Sequence, residues 1–185
     1  ALREQTFTDI YDDSMWLINL VENLLAVTRI EGGQVNLTRS IELMDEVVSE
    51  ALKHINRKSK EHTIHVTSGK DFILAHIDAK LIVQVIINLV DNAIKYTPEH
   101  SRIELFAAPE GKFVRICVTD DGPGIPEESR DKLFDMFYTL GKTRSDGRRG
   151  LGLGLALCRS IVAAHGGVIN VQNAAPHGAC FRFTL

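Results

Sequence analysis

Residues Ala79 to Thr97, "AKLIVQVIINLVDNAIKYT", restrict the possible folds of this chain more than any other stretch. The period is helical, and apolar residues cover so much of the circumference that the helix must be packed on several sides. Gln84, Asn88 and Asn92 recur every four residues, with Lys95 and Tyr96 one turn further, and together they form a single polar stripe. Amides turned inward need partners, because an unpaired buried amide costs about 1–3 kcal/mol. Two chemistries meet that need: a structural hydrogen-bond network, or a polar ligand accompanied by a hard cation such as Mg2+, which suits an Asn carbonyl oxygen.

The segments around this helix predict its covering layers. Ahead of it the pattern reads as a strand near Val35 to Arg39, a helix from Met44 to Lys58, and short strands at Thr63 to Thr67 and Phe72 to Ile77. Behind it come strands at Arg102 to Ala108 and Lys112 to Thr119, joined by a hairpin through "PEGK", and then a turn-rich stretch to Leu140. A polar loop, "GKTRSDGRR", leads into another helix that stops at Gly166 and Gly167, followed by strands at Val168 to Gln172 and Cys180 to Thr184. The implied architecture is an α/β (α+β) two-layer sandwich, with a mixed, mostly antiparallel sheet and helices on one face.

From Phe7 to Ile30, residues Ile10, Ser14, Leu17, Val21, Leu24 and Thr28 mark the seam of a bundle-forming helix, which "EGGQ" terminates. The domain boundary is therefore set between 1–33 and 34–185. The seam has no evident partner helix nearby, which predicts self-association or non-native packing of that helix.

A net charge of −3 over 185 residues offers no general attraction for nucleic acid or anionic lipid. The longest apolar run, "LIVQVIINLV", is interrupted by Gln84 and Asn88 and falls short of the roughly 20 residues a membrane span needs, so direct membrane insertion is not expected. No signal-peptide pattern is present. Cys117, Cys158 and Cys180 are scattered in apolar sequence, which predicts buried free thiols rather than a disulfide framework or zinc site.

In "FVRICVTDDGPGIP", a two-residue period puts Val114, Ile116, Val118 and Asp120 on one face. A carboxylate aimed into a core requires donors. Gly122 and Gly124 follow in a sharp turn, so the segment reads either as a strand ending in an Asp-Gly turn or as a pocket where Asp120 meets the exocyclic amine of adenine. In "GLGLGLALCRS", Gly150, Gly152 and Gly154 alternate with leucines where a helix begins, preceded by Lys142, Arg144, Arg148 and Arg149. Helix N-termini attract anions and glycines admit a phosphate to the backbone. Tight helix packing would produce the same pattern, and neither the Walker loop nor the Rossmann fingerprint is matched.

In this order the pieces resemble the catalytic, ATP-binding domain of sensor histidine kinases, in the superfamily shared with gyrase, Hsp90 and MutL. "NLVDNAIKYT" (Asn88 to Thr97) is similar to the N box, "DDGPGI" (Asp120 to Ile125) to the DxGxG box, "LFDMFY" (Leu133 to Tyr138) to the F box, and "GLGLGL" to the second glycine box. The resemblance implies that Asn92 holds Mg2+, that Asn88, Lys95 and Lys142 serve the phosphates of ATP, and that Tyr96 flanks the nucleotide. It further implies that Asp120 fixes adenine N6, that Gly122 and Gly124 shape the base pocket, and that Thr139 to Arg149 form a lid. Gly150, Gly152 and Gly154 would be its hinge and phosphate-facing backbone, with Phe134 and Phe137 packing its near end. The N-terminal helix resembles the second helix of the family's dimerisation domain, and "GACFRFTL" the end of KdpD-type, potassium-responsive sensor kinases.

Two departures shape the functional expectation. The family's phosphoacceptor sits in a His-Glu/Asp-Leu-Arg-Thr-Pro box, and none of His54, His62, His65, His76, His100, His165 or His177 has that setting. The acceptor is thus expected on a first dimerisation helix outside this chain. The usual Gly-Thr-x-Phe before the last strand is replaced by "HGACFRFTL", so Ala179 and Cys180 inherit no side-chain role.

Water-attacking members carry a Glu one turn before the Mg2+-binding Asn; here that position is Asn88, which cannot take a proton at neutral pH. The expectation is an autokinase module that passes the γ-phosphoryl group to a histidine and then to a response-regulator receiver domain. It would be homodimeric in its parent and form the cytoplasmic part of an inner-membrane-bound bacterial sensor. An ATP-switched interaction module without phosphoryl transfer is the alternative.

Overall fold

The computed structural model describes residues 6, 14, 17, 18, 21–26, 28, 32, 36–55, 61–68, 72–140 and 152–185. In chain order these form β1 (Ser40–Leu43), α1 (Met44–Ile55), β2 (Thr63–Ser68), β3 (Leu74–Ile77), α2 (Ala79–Tyr96), β4 (Arg102–Glu110) and β5 (Phe113–Asp120). Two short 3-10 turns, Glu127–Ser129 and Lys132–Phe134, precede α3 (Gly154–Ala164), β6 (Ile169–Asn173) and β7 (Ala179–Thr184).

A five-stranded sheet runs in the order β2-β4-β5-β7-β6. Only the β2–β4 pair is parallel; the other neighbours are antiparallel. Alternation puts Ile103, Leu105 and Ala107, then Val114, Ile116 and Val118, then Phe181 and Phe183 on one buried face. These join the buried residues of all three helices in a single core. The opposite face carries Arg102, Glu104, Arg115, Cys117, Thr119, Cys180 and Arg182, exposed or half-buried. The predicted two-layer sandwich is what forms.

Helix α2 is central because it packs on α1, α3 and the sheet. Asp78 caps it, its Oδ1 accepting the Leu81 N–H at 3.4 Å, and Pro98 follows the C-cap Thr97. Val85, Ile86, Leu89 and Val90 are fully buried. In α1 the first turn carries Asp45 and Glu46 and the last carries Lys53 and His54, matching the helix dipole at both ends.

The expected strand at Val35 to Arg39 is corrected: residues 36–39 have no regular structure, Val35 lies outside the described residues, and the strand is Ser40–Leu43. Pairing with Leu74–Ile77 begins only at Ser40, opposite Ile77. Before it, side chains anchor the backbone: the Thr38 N–H donates to Asp78 Oδ2 at 3.0 Å, and Arg39 donates to the Ala164 carbonyl at 2.7 Å. The strand expected from Phe72 likewise starts at Leu74, leaving Phe72 86% exposed. The thiol reading also changes, since Cys158 alone is fully buried and Cys117 and Cys180 are half-exposed. Residues 21–26 are helical, and the seam residues Leu17, Val21 and Leu24 are exposed; Ile10 lies outside the described residues.

Candidate active site

Asp120 is the last residue of β5 and continues its buried face, at 8% exposure. Its Oδ1 accepts the Gly122 N–H at 2.9 Å and the Ala179 N–H at 3.2 Å. Burial pushes its pKa above the ordinary carboxylate value, the two backbone donors pull the other way, and Asp121 adds to the rise. Both of these bonds fall on Oδ1, which leaves Oδ2 to meet a donor from a ligand.

The floor beside it is built for close approach. A methyl at Gly122 would lie 2.7 Å from Thr97 Cγ2 and 2.9 Å from Asp120 Oδ1. Gly124 packs on Asn173 and Gly178, and Asn173 Oδ1 accepts the Ile125 N–H at 2.8 Å. Gly178, at φ +111°, runs so close to Asp120 that any Cβ would collide with the Asp120 carbonyl. Thr97, Asn173, Gly178 and Ala179 are thus parts of the site to which sequence reasoning assigned no role. Thr97 caps the C-terminus of the helix that carries the stripe, one position past Tyr96, and was within reach of that reading. Asn173 had no local signal, because its partner is 48 residues away.

On α2 the stripe carries one hydrogen bond between its amides, from Gln84 Nε2 to Asn88 Oδ1 at 3.3 Å. Asn88 Nδ2 is buried with no nitrogen or oxygen partner. Its neighbour is the sulfur of Cys158, a weak acceptor, whose thiol burial pushes up to about 12. Gly154 stands over the same amide, with Asn88 3.8 Å from where a Cβ would be. Asn92 is half-buried one turn on, and the Lys95 ammonium lies 5.1 Å from the Tyr96 ring centroid, both side chains at the solvent edge. An Nδ2 whose one neighbour is a weak sulfur acceptor has hydrogen-bonding capacity left for a ligand.

Gly154 opens α3, and the N-cap Leu153 makes no side-chain cap bond, so the first-turn N–H groups are not used up by a capping side chain. Gly152, at φ +68°, lies against the backbone of Phe137 and Tyr138 and accepts the Phe137 N–H at 3.1 Å. The F box and the glycine segment are therefore tied together. Phe134 is core, packed edge-on against Phe181 at 6.4 Å, whereas Phe137 is 61% exposed with φ 66°. Lys142, Gly150 and residues 141–149 of the expected lid lie outside the described residues.

The donor set fits Mg2+ and a polyphosphate. No group of three or more His, Cys, Asp or Glu side chains could hold a metal among the described residues. A single amide oxygen at Asn92 suits an ion that keeps most of its ligands from water and phosphate.

Residues 77–185 match the family described as "Histidine kinase-, DNA gyrase B-, and HSP90-like ATPase". Over 99% of its length the chain is 44% identical to the sensor protein KdpD of Clostridium acetobutylicum, of which it spans 20%. Its fold is similar to full-length ShkA in complex with AMPPNP, with a TM-score of 0.78 and 27% identity, covering all of this chain and 38% of that one. It is also similar to histidine kinase ThkA in complex with the response regulator protein TrrA, with a TM-score of 0.71 and 28% identity, over 91% of this chain and 48% of that one. The chain is thus about a fifth of the length of the KdpD relatives it matches.

Proposed function

Since this chain belongs to the histidine kinase-, DNA gyrase B- and HSP90-like ATPase family, we propose that it is the ATP-binding catalytic domain of a two-component sensor histidine kinase of the KdpD type. It would pass the γ-phosphoryl group of ATP to a histidine outside this chain, and the group would then go to an aspartate of a response-regulator receiver domain. The carrying observation is Asn88, whose buried Nδ2 has no nitrogen or oxygen partner and lies beside Gly154, where a hydrolase of this family would place a Glu. An amide cannot deprotonate water. A neutral imidazole needs no base, so the site has only to position it and offset charge. The ShkA complex with AMPPNP and the ThkA complex with a response regulator support this reading.

Each residue then has a part in binding or orientation. Asp120 accepts the adenine amine through Oδ2, while Gly122 and Gly124 leave room for the ring. Asn88, Lys95, Lys142 and the backbone of Gly150, Gly152 and Gly154 hold the phosphates, and Tyr96 flanks the nucleotide. Mg2+, which Asn92 would hold, supplies charge neutralisation at the transferred group when bound. Residues 1–33 form the second helix of a dimerisation hairpin, with 34–185 as the catalytic domain on the cytoplasmic side of a membrane-bound homodimeric sensor.

The test supplies Mg2+ and γ-labelled ATP to the full-length parent protein. Acid-labile label on an upstream histidine is the expected result. Tight ATP binding with no transfer would overturn the kinase reading in favour of the ATP-switched interaction module.

A further inference from the structure

His62 stands where the chain is fixed on both sides of it. Edge strand β2 joins β4 in parallel from Thr63, which lies opposite Arg102. Just ahead of that pairing, the Glu61 carbonyl accepts the His100 N–H at 2.7 Å, and the Thr63 N–H donates to the Ser101 carbonyl at 3.1 Å. The loop that leaves α2 is thereby pinned to the residues flanking His62. The imidazole meets the C-cap of α2, with Nε2 3.0 Å from Thr97 Oγ1.

A single hydrogen decides the direction of that bond. The Thr97 hydroxyl donates its only hydrogen to the Ala93 carbonyl at 2.7 Å, so toward His62 its oxygen can only accept. Nε2 is therefore the nitrogen that carries the proton, and Nδ1 is the bare one, buried with no hydrogen-bond partner among the described residues. Held from both sides, the hydroxyl fixes χ1 of the buried Thr97 and with it the direction of the methyl. That methyl lies under Gly122, where a Cβ would sit 2.7 Å from Thr97 Cγ2 and 2.9 Å from Asp120 Oδ1. The Gly122 N–H in turn donates to Asp120 Oδ1 at 2.9 Å, so contacts run without a break from His62 through Thr97 and Gly122 to the carboxylate.

We propose that His62 is a positioning residue for base recognition, which sets the place of Gly122 and Asp120 through Thr97 and so the preference for an adenine ring. This rests on the nucleotide reading proposed above, in which Asp120 Oδ2 accepts the exocyclic amine. Without the His62 N–H, Thr97 is held by Ala93 alone, and a turn to another staggered rotamer carries its methyl off Gly122. The floor then loosens beside the carboxylate, at the base end of the site and away from the phosphates. His62 thus acts on which base is bound, although 58 residues separate it from Asp120 and no local pattern links them.

The experiment titrates the chain calorimetrically with Mg2+-ATP and with Mg2+-inosine triphosphate, whose ring carries a carbonyl where adenine has its amine. Wild type is expected to prefer ATP at least about tenfold, because that carbonyl would face the carboxylate. In His62→Ala the preference should shrink about three- to tenfold through weaker ATP binding, whereas a general loosening of the fold would weaken both nucleotides alike and leave the ratio unmoved. His62→Gln, which keeps an N–H donor, should retain most of the preference. In a Thr97→Val background His62 has no hydroxyl to hold, so adding His62→Ala should leave the ratio where Thr97→Val put it. A ratio unchanged in His62→Ala, or a further loss in the double variant, overturns the proposal. Nitrogen NMR of the imidazole in the wild-type chain needs no variant: a proton on Nε2 is expected, and a proton on Nδ1 with Nε2 bare overturns it. A wild type that binds neither nucleotide, or both equally, counts against the nucleotide reading itself, and the role of His62 in base recognition falls with it.

Discussion

The backbone N–H of Ala179 donates to Oδ1 of Asp120 at 3.2 Å, so the last strand grips the carboxylate without any side chain of its own. The family's threonine at this position is an alanine here, yet the tie persists because a backbone donor does not depend on residue type. The altered last box therefore leaves the Asp120 carboxylate, the proposed adenine acceptor, supported.

Asp120→Asn should lower ATP affinity by at least about tenfold, since a hydrogen bond to a charged group is worth about 1.5–3 kcal/mol. The amide oxygen can still accept from Gly122 and Ala179, so the fold is retained. Burial raises the Asp120 pKa, so its ionised form is disfavoured in the fold; that contribution favours folding below the unfolded value of 3.8 and is lost as pH rises through the folded pKa. At pH 7 the nucleotide-free variant is thus expected to melt no lower than wild type. Calorimetric titration with ATP and a melt without it check both.

Gly122→Ala tests the floor of the pocket. The added methyl would crowd Thr97 Cγ2 and Asp120 Oδ1 at 2.7 and 2.9 Å, displacing the carboxylate. Overpacking of this kind costs about 1–3 kcal/mol, to be seen in a urea midpoint, together with a loss of ATP affinity. Wild-type affinity in this variant would remove Asp120 from the adenine site.

Asn88→Ala removes an amide whose Nδ2 has no nitrogen or oxygen partner and whose Oδ1 accepts one long bond, from Gln84 at 3.3 Å. Nucleotide-free stability should change little, while phosphoryl transfer should fall about a hundredfold and ADP binding should be nearly unaffected, as expected for a donor acting on the terminal phosphate. Equal losses for ADP and ATP binding would place Asn88 elsewhere along the nucleotide.

Stability should decline as pH drops from 7 to 5. His165 Nε2 accepts the Asp78 N–H at 3.0 Å, and its Nδ1 pairs with the Ile161 carbonyl at 2.8 Å, so the ring is neutral. Burial, the largest cause, holds its pKa below 6.5, with Arg39 adding to the drop and Ile161 and Asp78 opposing it. A depressed pKa contributes stability that is present above the unfolded value and lost as pH falls through the folded one. Urea midpoints across this range should slope in wild type and flatten in His165→Gln.

Exposed Leu17, Val21 and Leu24 on the N-terminal helical residues predict concentration-dependent self-association. Sedimentation should show Val21→Glu shifted toward monomer, and a wild type that is monomeric at all concentrations would contradict the bundle reading.

Elements whose instructions are local were legible in advance. Helix α2 was legible from its unbroken helical period, which the structure shows bracketed by the cap Asp78 and by Pro98. The inward turn of Asp120 followed from period two along β5. Strand β1 was misplaced because its start depends on where Ile77 stands opposite it and on the anchoring of Thr38 and Arg39 by Asp78 and Ala164.

By itself the sequence determined the two layers, the buried face of β5, the amide stripe and the glycines, since periodicity and backbone freedom act over a few neighbouring residues. Tertiary structure alone decided that Ala179 meets Asp120 from 59 residues away, that Gly154 stands over Asn88, and that Cys117 and Cys180 share an open face. Those contacts depend on strand order and register, which are set by how distant apolar faces pack together and carry no mark in any local stretch.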